Sequence, residues 1–166
     1  MKKILALVLA LVLCLGAVAA VAEEAEIPAV EAEVSFEAQV VALGETGLVL
    51  QIPADWQVQE APEGVLLYAL TPDGAVSITV QTAAMDYDTL LQSLADAGCT
   101  DDMLAEVTVN DMYCLLYNAS DLAAAMYTFL DDETVLAFGF NSLTKEAGDA
   151  LGNIPVEIFG SLAAAE

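Results

Sequence analysis

The sequence contains no histidine and no arginine, and it has only three lysines against 26 carboxylates. Lys2 and Lys3 lie at the start, so Lys145 is the only cation in the rest of the chain. Without histidine there can be no Ser-His-Asp triad, no Cys-His pair and no histidine-ligated zinc or iron site. Because recognition of phosphate depends on Lys and Arg, we expect no binding to nucleic acid or to an anionic membrane surface. The remaining partners are cations, basic proteins or none.

The first 22 residues have the pattern of a secretory signal peptide. Lysines precede an apolar run from Ile4 to Leu15 that is short for a membrane span, and Ala20-Val21-Ala22 fits the A-x-A rule for cleavage. A retained membrane anchor is the alternative, because the apolar stretch continues to Val21. Cys14 follows Leu13 rather than a small residue, which argues against a lipid-modified cysteine. We therefore expect an exported protein, secreted or located in the periplasm or at the cell surface.

Two further segments follow the leader. Residues 23–38 alternate Ala and Val with Glu, which indicates an acidic flexible tether. Within it, Val34, Phe36 and Ala38 alternate with polar residues, as they would in a strand. Residues 39–166 have a length that suits a single domain with one core. Since a large excess of one charge keeps proteins soluble and apart, we expect a monomer.

Turn sequences between apolar runs predict four β-hairpins. The clearest turn is Thr71-Pro72-Asp73-Gly74, in which Pro presets one φ angle and Gly accepts a positive one. Asn110-Asp111 tolerates the left-handed backbone of a two-residue hairpin turn. Pro53 cannot donate to a strand ladder, so its strand should end there. The eight predicted strands are 39–43, 48–52, 65–70, 75–81, 105–109, 112–118, 123–130 and 134–140.

Helical patterns complete the fold prediction. Asp86 is placed to cap a helix with apolar residues at helical spacing, and Gly98 is placed to end it. A weaker helix is predicted for residues 143–151, and another begins near Pro155, which suits a first helical turn. The apolar side of this last helix is formed by Val156, Phe159 and Ala163. We predict an α+β fold in which an antiparallel sheet built from hairpins is covered by helices, as an α/β/α sandwich.

This order of elements resembles the PsbP-like superfamily over roughly residues 47–162. The likeness rests on Gly47-Leu48-Val49-Leu50-Gln51-Ile52-Pro53-Ala54-Asp55-Trp56, an apolar strand that runs into a Pro-x-x-Trp corner. Asn110-Asp111 stands where relatives often have Asn-Gly, and the chain closes with Ile158-Phe159-Gly160-Ser161-Leu162. An aromatic strand after an acidic turn completes it, with Val135, Ala137, Phe138 and Phe140. The resemblance implies a non-catalytic binding or assembly module and carries over no catalytic residue.

Two cysteines follow the leader, Cys99 and Cys114. In an oxidising compartment an even pair indicates a disulfide, which would stabilise the fold by about 3 kcal/mol through the loop that it closes. Two buried free thiols are the alternative, and the sequence favours neither.

Neighbouring carboxylates raise the question of a metal site. Asp86 and Asp88 also suit the positive end of a helix. Ca²⁺ takes about six to eight oxygen ligands, and no segment has the spacing of an EF-hand loop. We therefore predict no metal site and no cofactor, with weak metal candidates at Asp101, Asp102, Asp131, Asp132 and Glu133.

The leading functional interpretation is an exported, non-catalytic binding or accessory module. The sequence does not identify its protein partner, although the acidic charge would suit a basic one. The alternative is an extracytoplasmic Ca²⁺-binding acidic protein. A third is a small hydrolase that uses two opposed carboxylates. The sequence nominates no pair of acids for that chemistry, and its single tryptophan, Trp56, suits a packed corner better than a sugar-stacking platform.

Overall fold

The computed structural model describes residues 27–165, so the predicted signal peptide and the first residues of the predicted tether lie outside the described chain. The strands are β1 (Ala29–Val30), β2 (Ala38–Ala42), β3 (Leu48–Pro53), β4 (Gln57–Val58), β5 (Val65–Leu70), β6 (Val76–Ala84), β7 (Leu104–Val109), β8 (Met112–Ser120), β9 (Ala123–Asp131), β10 (Thr134–Ser142) and β11 (Ala163–Ala164). The helices are α1 (Tyr87–Asp96), α2 (Lys145–Ala150) and α3 (Ile154–Gly160), with a 3₁₀ turn at Asp101–Met103.

The described strands form two sheets. The large sheet has eight strands in the order β1-β7-β8-β9-β10-β6-β5-β4, and the small sheet has three in the order β11-β3-β2. All four predicted hairpins are present, as β2–β3, β5–β6, β7–β8 and β9–β10. The first hairpin, β2–β3, lies in the small sheet and not in the large sheet with the other three hairpins. There β3 also pairs with β11 on its other side.

The β7–β8 turn has the backbone that its sequence predicts. Asn110 and Asp111 have φ angles of 47° and 65°, and they are the only described residues other than glycine with positive φ. Asn and Asp tolerate this region better than other side chains do. The turn therefore joins its strands without an inserted residue, and Val109 pairs directly with Met112.

The two faces of the large sheet bury different cores. One face packs on the small sheet and α3, and the rings of Phe138 and Phe159 meet there with centroids 5.2 Å apart. The other face receives α1, whose buried Leu90 and Leu94 belong to a second cluster. Because successive side chains of a strand point to opposite faces of the sheet, Cys114 lies in the first core and its neighbour Leu115 in the second.

The α+β architecture with a large, mostly antiparallel sheet is as predicted, but the predicted cover of helices is not confirmed. The described helices have 10, 6 and 7 residues, and the small sheet supplies much of the cover over the main core. The last helix ends at Gly160, so Ala163 is not on its apolar side but pairs with Val49 as a strand. Within residues 27–165 no helix is both long and apolar enough to cross a membrane.

Residues 28–36 form an extended N-terminal strap along the edge of the large sheet. β1 pairs in parallel with β7, aligning Ala29 with Thr108. Ala32 and Phe36 then pack against the main core, and Ser35 bonds to Glu157 of α3. The prediction of a flexible tether for residues 23–38 is therefore wrong for residues 28–36. Inward apolar side chains and hydrogen bonds fix this segment to the domain.

Candidate functional site: an acidic cleft

Four carboxylates and two aromatic rings line a shallow cleft between the start of α1 and the β9–β10 turn. Asp86, Tyr87 and Asp88 come from the first turn of the helix, and Phe129, Asp131 and Asp132 come from the end of β9 and its turn. The cleft has a volume of about 270 Å³. Pockets for small organic ligands generally occupy about 300–1,000 Å³. The size therefore fits one side chain or a small cation.

Two of these carboxylates are positioned by local hydrogen bonds. Asp86 is the N-cap of α1, and its Oδ1 accepts from the backbone N–H of Thr89 at 2.8 Å. Asp131 Oδ1 accepts from the backbone N–H of Glu133 at 2.9 Å and so shapes the hairpin turn. Bonds from Thr89 lower the pKa of Asp86, and bonds from Glu133 and Thr134 lower that of Asp131. Both groups therefore stay ionised well into the acid range.

A network of tyrosines and one carboxylate supports the aromatic floor. The rings of Tyr87, Tyr113 and Phe129 lie 6.0–6.4 Å apart between centroids. Glu106 Oε1 accepts from the hydroxyl of Tyr87 at 2.5 Å and from that of Tyr113 at 3.0 Å. Because a hydroxyl that donates to a carboxylate resists ionisation, the bond to Glu106 raises the pKa of Tyr87. Burial is the main cause of the raised pKa of Tyr113.

No cation of the described chain neutralises the cleft. Lys145 is the only Lys or Arg after residue 3, and its Nζ lies 2.9 Å from Asp121 and 4.0 Å from Asp149. It follows the far end of β10, whereas the cleft lies at the start of that strand. The four carboxylates therefore present a local negative potential that only an external cation can balance.

The weak metal candidates do not converge. Asp131 and Asp132 line the cleft, whereas Asp101 and Asp102 lie in the 3₁₀ turn after α1. Asp102 accepts a local hydrogen bond from the Thr100 hydroxyl at 2.6 Å. Among residues 27–165, no three or more acidic, cysteine or histidine side chains are grouped closely enough to hold a metal ion.

The candidate disulfide is absent from the structure. Cys99 and Cys114 are both free thiols, the first partly exposed and the second buried. Cys114 lies in the main core, whereas Cys99 packs with the cluster under α1 on the opposite face of the large sheet. The alternation of side chains along β8 separates them, and a bridge would have to pass through the sheet.

The sequence indicates the acids of the cleft but not their association. The end of the helix accounts for Asp86 and Asp88, Asp131 and Asp132 are weak metal candidates in a turn, and no local pattern connects the two groups. No sequence signal points to Glu106, Tyr113 or Phe129 as part of a site. Their alternation along neighbouring strands placed them on one face of the sheet, but only the position of α1 on that face brings Tyr87 to them.

No family model matches the sequence, and no curated protein matches it. Solved structures do match its fold. The solution structure of cyanobacterial PsbP (CyanoP) from Synechocystis gives a TM-score of 0.52 at 11% identity, covering 76% of this chain and 92% of that one. A crystal structure of a protein from Bacteroides thetaiotaomicron gives a TM-score of 0.51 at 14% identity, covering 80% of this chain but only 50% of that one. This chain thus spans about half the length of the Bacteroides protein. The strands and helices of the chain have the PsbP-like fold.

Proposed function

We propose that the protein is an exported, non-catalytic accessory module that binds a basic segment of another protein at the acidic cleft. The observation that carries the proposal is the convergence of Asp86, Asp88, Asp131 and Asp132 around two aromatic rings without a cation of the chain itself. The PsbP-like fold supports an accessory module, and the leader sequence supports export.

The chemistry of the cleft favours a Lys or Arg side chain as its occupant. A guanidinium or ammonium group gains from carboxylates and also from an aromatic face within about 6 Å of the ring centroid. Tyr87 and Phe129 line the cleft with aromatic rings beside the four acids. Because the site is open to solvent, we expect each exposed ion pair to contribute little. Binding should therefore be fast and sensitive to salt.

The test compares two variants of equal charge. Asp86 and Asp131 hold backbone groups, so the cleft variant changes Asp88→Asn and Asp132→Asn instead. The matched control changes Asp101→Asn and Asp102→Asn, where an amide oxygen can still accept the bond from Thr100. The probe is a fluorescent peptide of alternating Arg and Gly, and its affinity is measured by fluorescence anisotropy.

We expect the cleft variant to bind the peptide about three- to tenfold more weakly than wild type, and the control to change little. Equal losses in both variants would show that net charge alone attracts the peptide, and the cleft proposal would then be wrong. Folding is monitored through the fluorescence of Trp56, which is buried in the main core.

Calcium binding is the competing proposal, because four carboxylates line the cleft, although no three of the described acids are grouped closely enough to hold a metal ion as they stand. Thermal unfolding with Ca²⁺ separates it from peptide binding. A specific site would raise the midpoint saturably, and monovalent salt at matched ionic strength would not reproduce that rise. We expect the two salts to act alike, and a saturable rise that Asp88→Asn and Asp132→Asn abolish would favour calcium instead.

A further inference from the structure

We propose that the N-terminal strap detaches as a unit, and that the β7 edge which it vacates accepts the same segment of a second copy of the chain. The strap lies at the start of the described domain, so it can leave without unthreading any other element. It is the only described segment paired with the outer edge of β7.

Polar contacts at two points hold the strap, in addition to the packing of Ala32 and Phe36. The backbone N–H groups of Thr108 and Asn110 donate to the carbonyls of Pro28 and Val30 at 2.8 and 3.0 Å. The side chain of Asn110 exchanges two bonds with the backbone of Ala32, both 2.8 Å long. No strap side chain is fully buried. Ala32 and Phe36 pack against the main core but are only partly buried, so detachment exposes less apolar surface than unfolding of the domain and costs less.

Glu157 forms the second set of hydrogen bonds that hold the strap, and its burial also favours detachment of the strap. The residue is only 7% exposed, and its carboxylate accepts from the backbone N–H and the hydroxyl of Ser35 at 2.8 Å each. The only described cation, Lys145, pairs with Asp121 instead. A buried carboxylate without a cation is costly, and departure of the strap would return it to water. Solvation of Glu157 thus offsets part of the lost strap contacts.

The sequence of the strap itself identifies the occupant of the vacated edge. Its extended backbone fits the parallel register with β7, and its Ser35 supplies the two donors that Glu157 requires. The strap of a second copy satisfies every one of these contacts. Exchange of identical elements between copies is an inexpensive route to association. The acidic charge of both copies opposes it, so exchange should increase as salt screens that repulsion.

Two variants with glycine in the β7–β8 turn test the hydrogen bonds between the Asn110 side chain and the strap. Asn110→Gly keeps a residue that tolerates positive φ but removes the bonds to Ala32 and a third bond, 3.0 Å long, to the Gly160 carbonyl. Asp111→Gly changes the adjacent left-handed position, and the side chain of Asp111 makes none of the hydrogen bonds to the strap. Both variants gain the same backbone freedom, and only one loses the hydrogen bonds to the strap.

Amide hydrogen exchange measures detachment. We expect the amides of Thr108, Ser35 and the glycine at position 110 in Asn110→Gly to exchange together, about tenfold or more faster than those of Thr108, Ser35 and Asn110 in wild type. Asp111→Gly should leave them unchanged, and amides of β10 should stay protected in both variants. Exchange of the strap amides only at the rate of the β10 amides, in wild type and in Asn110→Gly, would overturn the proposal.

A labelled peptide of residues 27–37 measures acceptance by the edge. We expect it to bind Asn110→Gly at an ionic strength that screens the acidic charge, and to bind Asp111→Gly much more weakly. A peptide in which Ser35 is replaced by Ala should lose affinity, because Glu157 would keep only one donor. Absence of peptide binding to a folded Asn110→Gly chain with a mobile strap would overturn the acceptor role.

Discussion

Phe159 is the residue that ties the last helix to the large sheet. Its ring is fully buried and meets Phe138 edge to face. α3 has only seven residues, too few to be stable by helix propensity alone. Packing of this ring, together with the fully buried Ile158, therefore holds the helix on the sheet and keeps Glu157 beside the strap.

Replacement of Phe159 by Ala should lower the free energy of unfolding by about 3–5 kcal/mol, because it leaves a cavity in a tightly packed core. Urea denaturation followed by Trp56 fluorescence measures the loss. Leu143→Ala is the control, since Leu143 is 75% exposed and should change stability by no more than about 0.5 kcal/mol. A loss as small as that of the control would mean that the ring does not hold the helix.

The two thiols should react very differently in the folded chain. Burial raises the pKa of Cys114 to about 12, so its reactive thiolate is scarce at ordinary pH, whereas Cys99 is partly exposed. In a chain without the leader, alkylation without reductant should label Cys99 first and Cys114 only after unfolding. Cys99→Ser should take no label while folded. Failure of both thiols to react after unfolding without reductant would reveal a disulfide.

At the scale of elements, α1 depends on one carboxylate that lies on the sheet. Glu106 of β7 bonds the hydroxyl of Tyr87 on the helix and that of Tyr113 on β8. The same helix carries Asp86 and Asp88, so the bonds of Glu106 also fix one wall of the acidic cleft. Loosening of this network should affect both stability and peptide binding.

Tyr113→Phe should destabilise the domain by about 0.5–1.5 kcal/mol at neutral pH, since one hydrogen bond to Glu106 is lost. The pKa of Tyr113 is raised above its ordinary value of 10.0, so the wild type loses stability as pH rises beyond 10. The unfolded tyrosine releases its proton there while the folded one retains it. The variant lacks this ionisation, and its stability should fall less steeply in that range.

Urea unfolding at several pH values measures this difference. Tyr68→Phe is the matched control, because Tyr68 lies on β5 and not in the Glu106 network. It should retain the neutral-pH stability of wild type. Equal alkaline slopes for wild type and Tyr113→Phe would show that Tyr113 does not contribute to the alkaline loss.

At the scale of the whole molecule, self-repulsion is the dominant electrostatic term. The full chain carries a formal net charge of −23, and Lys145 is the only described cation. Its partners Asp121 and Asp149 are about half exposed or more, so solvent screens both pairs. The compact state therefore gains little from ion pairs and loses from repulsion among its acids.

Added sodium chloride should raise the urea midpoint of unfolding, because screening weakens repulsion that is stronger in the folded state. Lys145→Ala should show the same rise and a nearly unchanged stability, since its ion pairs are exposed. Asp121→Asn is the matched change on the other side of the pair. A salt-dependent fall in wild-type stability, abolished in Lys145→Ala, would instead assign an important role to the ion pair.

The sequence by itself determined the local elements. The hairpin turns contain residues that tolerate the backbone conformation of the turn, as Asn110-Asp111 shows. Asp86 caps the helix that the spacing of apolar residues predicts. Composition also limited the chemistry, because the absence of histidine and arginine does not depend on the fold. These properties are local or additive, so they can be read without knowing which elements meet.

Only the tertiary structure decided which segments come together. The first hairpin belongs to a separate sheet, in which β11 pairs with β3. The strap is held by Asn110 and Glu157, which lie far from it in sequence. Cys99 and Cys114 are separated because strand alternation places them on opposite faces of one sheet. The cleft joins acids of α1 and the β9–β10 turn in the same way. Packing between segments that are distant in sequence determines which residues become neighbours, and no local pattern along the chain specifies that packing.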